Sequence, residues 1–480
     1  MNLSRFIERW AAHAPDRTAL HFQGEDLAYA ALWTRVQRMT RGLAGLGVRK
    51  GDRVAYLGYN HPEMLVLLFA LSRLGALLVP LNWRLTEAEH LVILADCAPS
   101  VLFFESEFEA HAASLPVRAR IRLGDALAQA EPVIAGNDDD EVLIVYTSGT
   151  TGAPKGVVLT QSALLWNAFN SIHAHDLTQS DHVLSPLPMF HVGGLNNQTL
   201  PALLAGAKVT LHKRFEPGLW LRDVNSRKPT FSLLVPATLQ AVIGHPDWAG
   251  TDLSSLRLVN TGSMIVPESL IRAFLARGVP VGQIYGATET SPLATVLMAH
   301  DAFAKPGSAG KPALHCEVRI VEGEVQVRGP NVMCRYWNNP EATAAALTED
   351  GWFRTGDLGR WDAEGFLWID GRSKDLIISG GENIHPAELE NVLADCAAIA
   401  ESAVIGIEDA KWGEAACAIV VRKPGASLDE AAVLALFKDR LARYKHPRRV
   451  FFADSLPKNA LGKVQKFELR KRLAGDTGGS

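Results

Sequence analysis

From Leu27 to about Asp370, short apolar runs of strand character alternate with segments of helical pattern, and nothing else in the chain constrains its fold as tightly. Arg53–Leu57 (RVAYL), Glu141–Tyr146 (EVLIVY), Lys208–Leu211 (KVTL) and Val281–Tyr285 (VGQIY) read as strands, with helical stretches such as Pro267–Ala276 between them. Such alternation predicts α/β layering with largely parallel sheets. The most apolar stretch, Met64–Leu81, is interrupted by Arg73, Gly75 and Pro80. It falls short of the ~18 uninterrupted apolar residues of a membrane span, so a buried helix and the strand after it are expected.

The pattern changes at Glu317–Arg328. EVRIVEGEVQVR alternates apolar and polar residues around Glu322-Gly323, the signature of a β-hairpin. A small antiparallel subdomain is therefore expected late in the large domain. Asp370–Asp375 (DGRSKD) is polar, contains Gly371 and reads as a linker. Beyond it, Pro386 suits the first position of a helix that has Leu389, Val392 and Leu393 on one face. Val404–Ile407 and Ala418–Val421 read as strands, and the Gly-rich tail 475–480 as disordered.

The 480 residues are enough for two or three domains. The expected fold class is α/β. Residues 1–371 form a large N-terminal domain of layered, largely parallel sheets with helices plus a small β subdomain. A hinge at 372–374 leads to a small mobile α+β C-terminal domain over 375–480.

Hydrophobic residues make up 48% and charged residues 21%, a soluble globular profile, and the net charge of −4 leaves no basic footprint for nucleic acid. Cys97, Cys316, Cys334, Cys396 and Cys417 are scattered and never form C-x-x-C, which supports neither a disulfide framework nor a zinc site. A reducing cytoplasm is the expected location. MNLSRFIERWAAHAPDRTA lacks the apolar stretch of a signal peptide, and Phe6, Trp10 and Ala11 suggest one face of a short surface helix. No integral membrane segment is expected.

The sharpest motif is Tyr146–Gly156, YTSGTTGAPKG, a strand running into a loop of hydroxyls and glycines that ends in Lys155. Glycines let backbone N–H groups approach phosphate oxygens, and Ser and Thr hydroxyls add donors. It is not a Walker A loop, because Lys155 stands between Pro154 and Gly156 instead of in a Gly-Lys-Ser/Thr run.

This loop resembles the signature of the adenylate-forming (AMP-binding) superfamily, which includes acyl-CoA synthetases, peptide-synthetase adenylation domains and luciferases. Similar landmarks follow in family order: LPMFH at Leu187–His191, YGATET at Tyr285–Thr290, GWFRTGD at Gly351–Asp357, GRSKDLIISGGENIHPAELE at Gly371–Glu390 and PKNALGK at Pro457–Lys463. The overall pattern is similar to fatty acyl-CoA and hydroxycinnamoyl-CoA ligases.

The resemblance implies roles residue by residue. Thr147, Ser148, Gly149, Thr150, Thr151, Gly152 and Lys155 would hold the phosphates of ATP, with Thr147 counted among the catalytic residues. Tyr285, Gly286 and Ala287 would flank adenine, Thr288 would reach a phosphate oxygen, and Glu289 would bind Mg²⁺. Asp357 and Arg372 would take the ribose hydroxyls. Lys463 would bridge the substrate carboxylate and the α-phosphate. His191, Val235, Pro236, Gly286 and Pro292 would border the acyl group. Gly380 and Gly381 would leave a channel for pantetheine, Lys445 would meet phosphates of CoA, and Lys374 would be the pivot. One departure is NTGSMIVP at Asn260–Pro267, where relatives carry a Gly-Gly-Ala-Pro-like turn; Gly262 and Ser263 still suit the adenine.

The implied activity is an acid–CoA ligase using ATP, Mg²⁺ and CoA. The acyl candidates are mostly apolar with no carboxylate to hold an amino group, which argues against α-amino acids. Medium- or long-chain fatty acids and aromatic or hydroxycinnamic acids both remain. The alternative is a stand-alone adenylation enzyme loading a carrier protein in trans. A luciferase-like oxygenase and an inactive nucleotide sensor are weaker readings. Partners are the small molecules themselves, with a homodimer left open.

Overall fold

In the computed structural model the described residues are 2–147, 154–380, 382–409, 411–438, 440–458 and 464–476. Two large sheets face each other across helices. In the first, Glu141–Thr147, Leu77–Leu81, Arg53–Leu57, Val101–Phe104 and Ala119–Arg122 run parallel, and Lys155–Thr160 and Arg335–Tyr336 extend the sheet antiparallel at one side. In the second, Val281–Tyr285, Leu258–Gly262, Phe231–Leu233, His182–Ser185, Lys208–Leu211 and Thr18–Phe22 are neighbouring parallel strands with antiparallel strands at both edges. The α/β reading is met.

Helix Pro62–Leu74 shows why this layering forms. Pro62 is preset for the first turn, His61 accepts the Glu63 N–H, and Gly75 (φ 71°) ends the helix in the left-handed conformation. Met64 through Leu71 are buried without exception, so this helix is apolar all round and lies inside the protein. One continuous core joins it to both sheets, through Val54, Leu78 and Val142 on one side and Leu20, Val183 and Val209 on the other. Among the described residues, no helix is long and apolar enough to cross a membrane.

The expected hairpin, Glu317–Val321 and Glu324–Arg328, turns through Glu322 and Gly323, both at positive φ, and continues into the antiparallel strands Phe353–Trp361 and Leu367–Arg372. The polar stretch DGRSKD is not a free linker along its length. Asp370, Gly371 and Arg372 belong to a strand, and only Ser373–Asp375 forms a 3₁₀ turn. Cross-strand partners absorb the charges: Arg360 pairs with Asp370, and Asp357 with Arg372.

After this turn the chain builds its own cores, whose buried members all lie at or beyond Ile377. Ile399–Asp409 and Gly413–Arg422 form the centre, with helix Pro386–Ala394 packed through Leu389, Val392 and Leu393. The last helix, Lys466–Asp476, extends into the Gly-rich tail further than its composition suggested, and Arg470 ties it to Asp375 at 2.9 Å.

Candidate active site

Parallel strands deliver their C-terminal ends to one edge of the sheet, where open α/β sheets bind ligands. Val235 and Pro236 follow Phe231–Leu233, Gly262 ends Leu258–Gly262, and Tyr285 ends Val281–Tyr285. Two glycines are demanded by close backbone approach. A Cβ on Gly262 would lie 2.4 Å from the Ile284 carbonyl oxygen, and one on Gly286 would lie 1.7 Å from that of Pro292. The unusual NTGSMIVP turn therefore keeps the glycine that packing needs. Ser263 adopts the left-handed conformation (φ 70°).

Tyr285, Asp357 and Arg372 converge. The Tyr285 hydroxyl donates to Asp357 Oδ2 at 2.9 Å, and Arg372 Nε meets Asp357 Oδ1 at 2.8 Å. Arg372 also donates to the Thr355 carbonyl at 2.9 Å, while Thr355 Oγ1 accepts the Asp357 N–H. Cross-strand register places Asp357 opposite Arg372. Burial, then the Asp357 charge, pushes the Tyr285 phenol well above its usual range. Thr355 was not singled out from the sequence, although its place two residues before Asp357 in GWFRTGD was a usable signal.

Glu289 sits on the 3₁₀ turn Thr288–Thr290, next to Ala287, whose N–H donates to Thr290 Oγ1. The Tyr336 hydroxyl donates to Glu289 Oε1 at 2.7 Å, and the Met333 N–H donates to the Glu289 carbonyl. The Lys155 ammonium lies 5.2 Å from the centre of the Tyr336 ring. Thr147 is paired with Lys155 across the strands that open and close the signature loop. Tyr336 thus connects Lys155, at the closing end of the phosphate motif, to the acidic residue. Sequence reasoning missed it, because a two-residue strand in Arg-Tyr-Trp-Asn-Asn carries no periodicity.

Among the described residues no group of three or more His, Cys, Asp or Glu could hold a metal ion. A single carboxylate still fits Mg²⁺, which keeps several waters and is commonly held by one or two carboxylates plus substrate phosphates. Tyr336 occupies one Glu289 oxygen and leaves Oε2 for such a role.

His191 stands at the start of helix Val192–Asn196 with its ring against Phe190. Burial, with a contribution from the Arg84 charge, pushes its imidazole down to about 4, so it is neutral near pH 7. Pro292 and Leu293 reach the same region, since the Leu293 N–H donates to Asn167 Oδ1 and Asn167 Nδ2 donates to the Asn196 carbonyl.

Other expected residues lie apart or are engaged elsewhere. A Cβ on Gly380 (φ 61°) would lie 2.5 Å from the Trp412 ring, so the face beside this glycine carries an indole. Lys445 is ion-paired to Glu388 at 2.5 Å. Lys374 lies in the turn after Arg372, its ammonium pushed down by burial. Ser148, Gly149, Thr150, Thr151, Gly152, Gly381 and Lys463 lie outside the described residues.

Comparison with known proteins joins these pieces. The model of the AMP-binding enzyme family matches residues 7–337, and that of the AMP-binding enzyme C-terminal domain matches residues 388–463. The chain is 50% identical to indoleacetate–CoA ligase of Aromatoleum aromaticum, over 99% of each chain. It is 42% identical to feruloyl-CoA synthase of an Amycolatopsis species, over 97% of this chain and 98% of the other. The structure of Bacillus subtilis o-succinylbenzoate CoA synthetase with ATP and magnesium ion superposes with a TM-score of 0.88 at 34% identity, covering 98% of this chain and 99% of that one.

Proposed function

The chain belongs to the AMP-binding enzymes, and from that premise we propose that its acid is a compact aromatic carboxylate. It is an ATP-dependent acid–CoA ligase. The substrate carboxylate forms a bond to the α-phosphorus of ATP and expels pyrophosphate. The CoA thiol then bonds to the acyl carbon and expels AMP, a far better leaving group than oxide. Mg²⁺ supplies charge neutralisation at the phosphates.

The observation that carries the aromatic reading is half-identity, along practically the whole of both chains, with a protein named for indoleacetate. The feruloyl-CoA synthase leans the same way. The mostly apolar candidates Val235, Pro236, Gly286 and Pro292 suit a flat ring, with neutral His191 beside them.

In this reading Asp357 and Arg372 orient the ribose, and Tyr285 with Gly262, Ser263, Gly286 and Ala287 frames the adenine. Thr288 and the 147–155 segment hold phosphate oxygens, and Glu289 holds Mg²⁺. Lys463 holds charge developing on the α-phosphoryl group. Residues 1–371 and 375–480 act as two domains that pivot at Lys374, bringing Gly380, Gly381 and Lys445 toward CoA in the second step. Five free cysteines suit a cytoplasmic location.

The test is a panel of acids scored by pyrophosphate release and by thioester formation with CoA. Arylacetic and cinnamic acids are expected to give the highest kcat/KM. A medium- or long-chain fatty acid exceeding them tenfold would overturn the aromatic reading. A phosphopantetheinyl carrier preferred to CoA would overturn the acceptor.

A further inference from the structure

The turn after Glu289 does not hold its own shape. Ser291 lies in the left-handed region at φ 68°, a conformation uncommon for any residue but glycine. It is 0% exposed, and among the described residues its hydroxyl has no hydrogen-bond partner, so its side chain contributes no bond to the bend. Strained backbone of this kind persists only where the surroundings over-determine it. The turn also joins two residues given roles above: Glu289 at its start, for the metal, and Pro292 within it, for the border of the acid.

One buried side chain grips the turn from outside. Asn331 is 0% exposed, and its Nδ2 donates to the Thr290 carbonyl at 2.7 Å and to the Leu293 carbonyl at 2.9 Å. A single amide group therefore spans Ser291 and Pro292 from both sides. Its Oδ1 accepts from the Cys316 thiol at 3.1 Å. Carbonyl oxygens can only accept, so the NH₂ group has to face them and the amide oxygen the thiol. Two residues further on, the Met333 N–H donates to the Glu289 carbonyl at 2.7 Å. The same segment then pairs Arg335 with Val158 and Tyr336 with Val157, on the strand that Lys155 opens. Residues 331–336 thus run from the strained turn to the closing strand of the phosphate motif.

From this we infer that Asn331 is a positioning residue for the ligation: through the Thr290 and Leu293 carbonyls it holds Glu289 and Pro292 as one unit, so that the metal requirement and the affinity for the acid are set together. The inference rests on the reading that Glu289 takes Mg²⁺ and Pro292 borders the acid. Asn331 acts through the turn and not by touching either substrate. Releasing the turn lets the carboxylate and Pro292 move at once. Asp357 and Arg372, paired across strands elsewhere, stay where the ribose needs them. Binding of AMP, which calls on neither the metal nor the acid, is left as it was.

Asn331→Leu keeps the volume and removes both donations. In pyrophosphate-release assays with an arylacetic acid, the half-maximal Mg²⁺ concentration and the KM for the acid should both rise, by roughly 5- to 100-fold for two lost bonds. The Kd for AMP, measured by calorimetry without metal, should stay within about twofold. A lower melting temperature with all these constants unchanged in the folded enzyme would overturn the positioning role and leave Asn331 as packing. AMP affinity falling as far as the other two would overturn it as well, since Asn331 would then support the whole nucleotide site. If Asn331→Leu does not fold, Cys316→Ala, which removes the thiol beside the Asn331 oxygen, should move both constants the same way by about two- to threefold; no movement would overturn the clamp. Glu289→Gln and Pro292→Ala separate the two layers. A metal constant unmoved by the first, or an acid KM unmoved by the second, would overturn the underlying reading of those residues. Where both controls move their constants and Asn331→Leu moves only one, the coupling is overturned.

Discussion

Removing one oxygen, in Tyr336→Phe, isolates what holds the proposed metal carboxylate. The Tyr336 hydroxyl donates to Glu289 Oε1 at 2.7 Å, its ring lies beneath the Lys155 ammonium, and the residue is only 8% exposed. Phenylalanine keeps the ring, and with it most of the packing and the cation–π contact. What disappears is a hydrogen bond to a charged group, about 1.5–3 kcal/mol. At 1.36 kcal/mol per tenfold, that is roughly 10- to 150-fold. If the bond orients Glu289 for Mg²⁺, the loss falls on metal dependence: the Mg²⁺ concentration for half-maximal pyrophosphate release should rise by about that factor. Saturating Mg²⁺ should recover much of kcat. Glu289→Gln should move the same titration at least as far, and the double variant should add little, because both changes act on one interaction. Tyr336→Leu, which also removes the ring, should lower the melting temperature as well. A Mg²⁺ titration unaltered in Tyr336→Phe, with normal melting, would refute the reasoning: the bond would then be packing detail and Glu289 would hold its position without it.

Three further outcomes are expected. Lys463→Ala should lose about 100- to 1000-fold in adenylate formation while largely keeping CoA transfer from supplied acyl-AMP, and equal loss of both half-reactions would remove it from the role given. Asp357→Asn, which strips the charge facing Arg372 and Tyr285, should raise the KM for ATP in pyrophosphate exchange about 10- to 100-fold; an unchanged KM in folded protein would contradict a ribose contact. Burial pushes His61, His90, His175, His182 and His191 down to about 4, so as pH falls from ~6.5 the unfolded chain takes up protons first. The stability these neutral rings contribute above that pH is lost between ~6.5 and 4, at most about 3 kcal/mol for fully buried His175, and a urea midpoint that stays flat from pH 7.5 to 4.5 would refute it.

What the sequence discloses here depends on how local the physics is. Loop chemistry is local: a phosphate loop needs its glycines and hydroxyls next to one another, so Thr147–Lys155 and Tyr285–Glu289 announce themselves. Cross-strand partners are legible only when both halves sit in recognisable motifs, as Asp357 and Arg372 do. Tyr336 lies 47 residues from Glu289 and in no such motif. DGRSKD reads as a linker by composition, yet Asp370 and Arg372 find opposite charges across a ladder that composition does not encode. The amides at 196–198 are the extreme case. Asn196, Asn197 and Gln198 are polar by residue type yet almost wholly buried, and burial is a property of the whole fold. Chemistry common to a family is thus written in contiguous residues, because every member must bind the same nucleotide. The residues proposed to border the acid, such as Val235, Pro236 and Pro292, carry no such contiguous pattern. That is why ATP and CoA can be read from the chain's motifs, while the acid has to be argued from likeness along the whole of the chain.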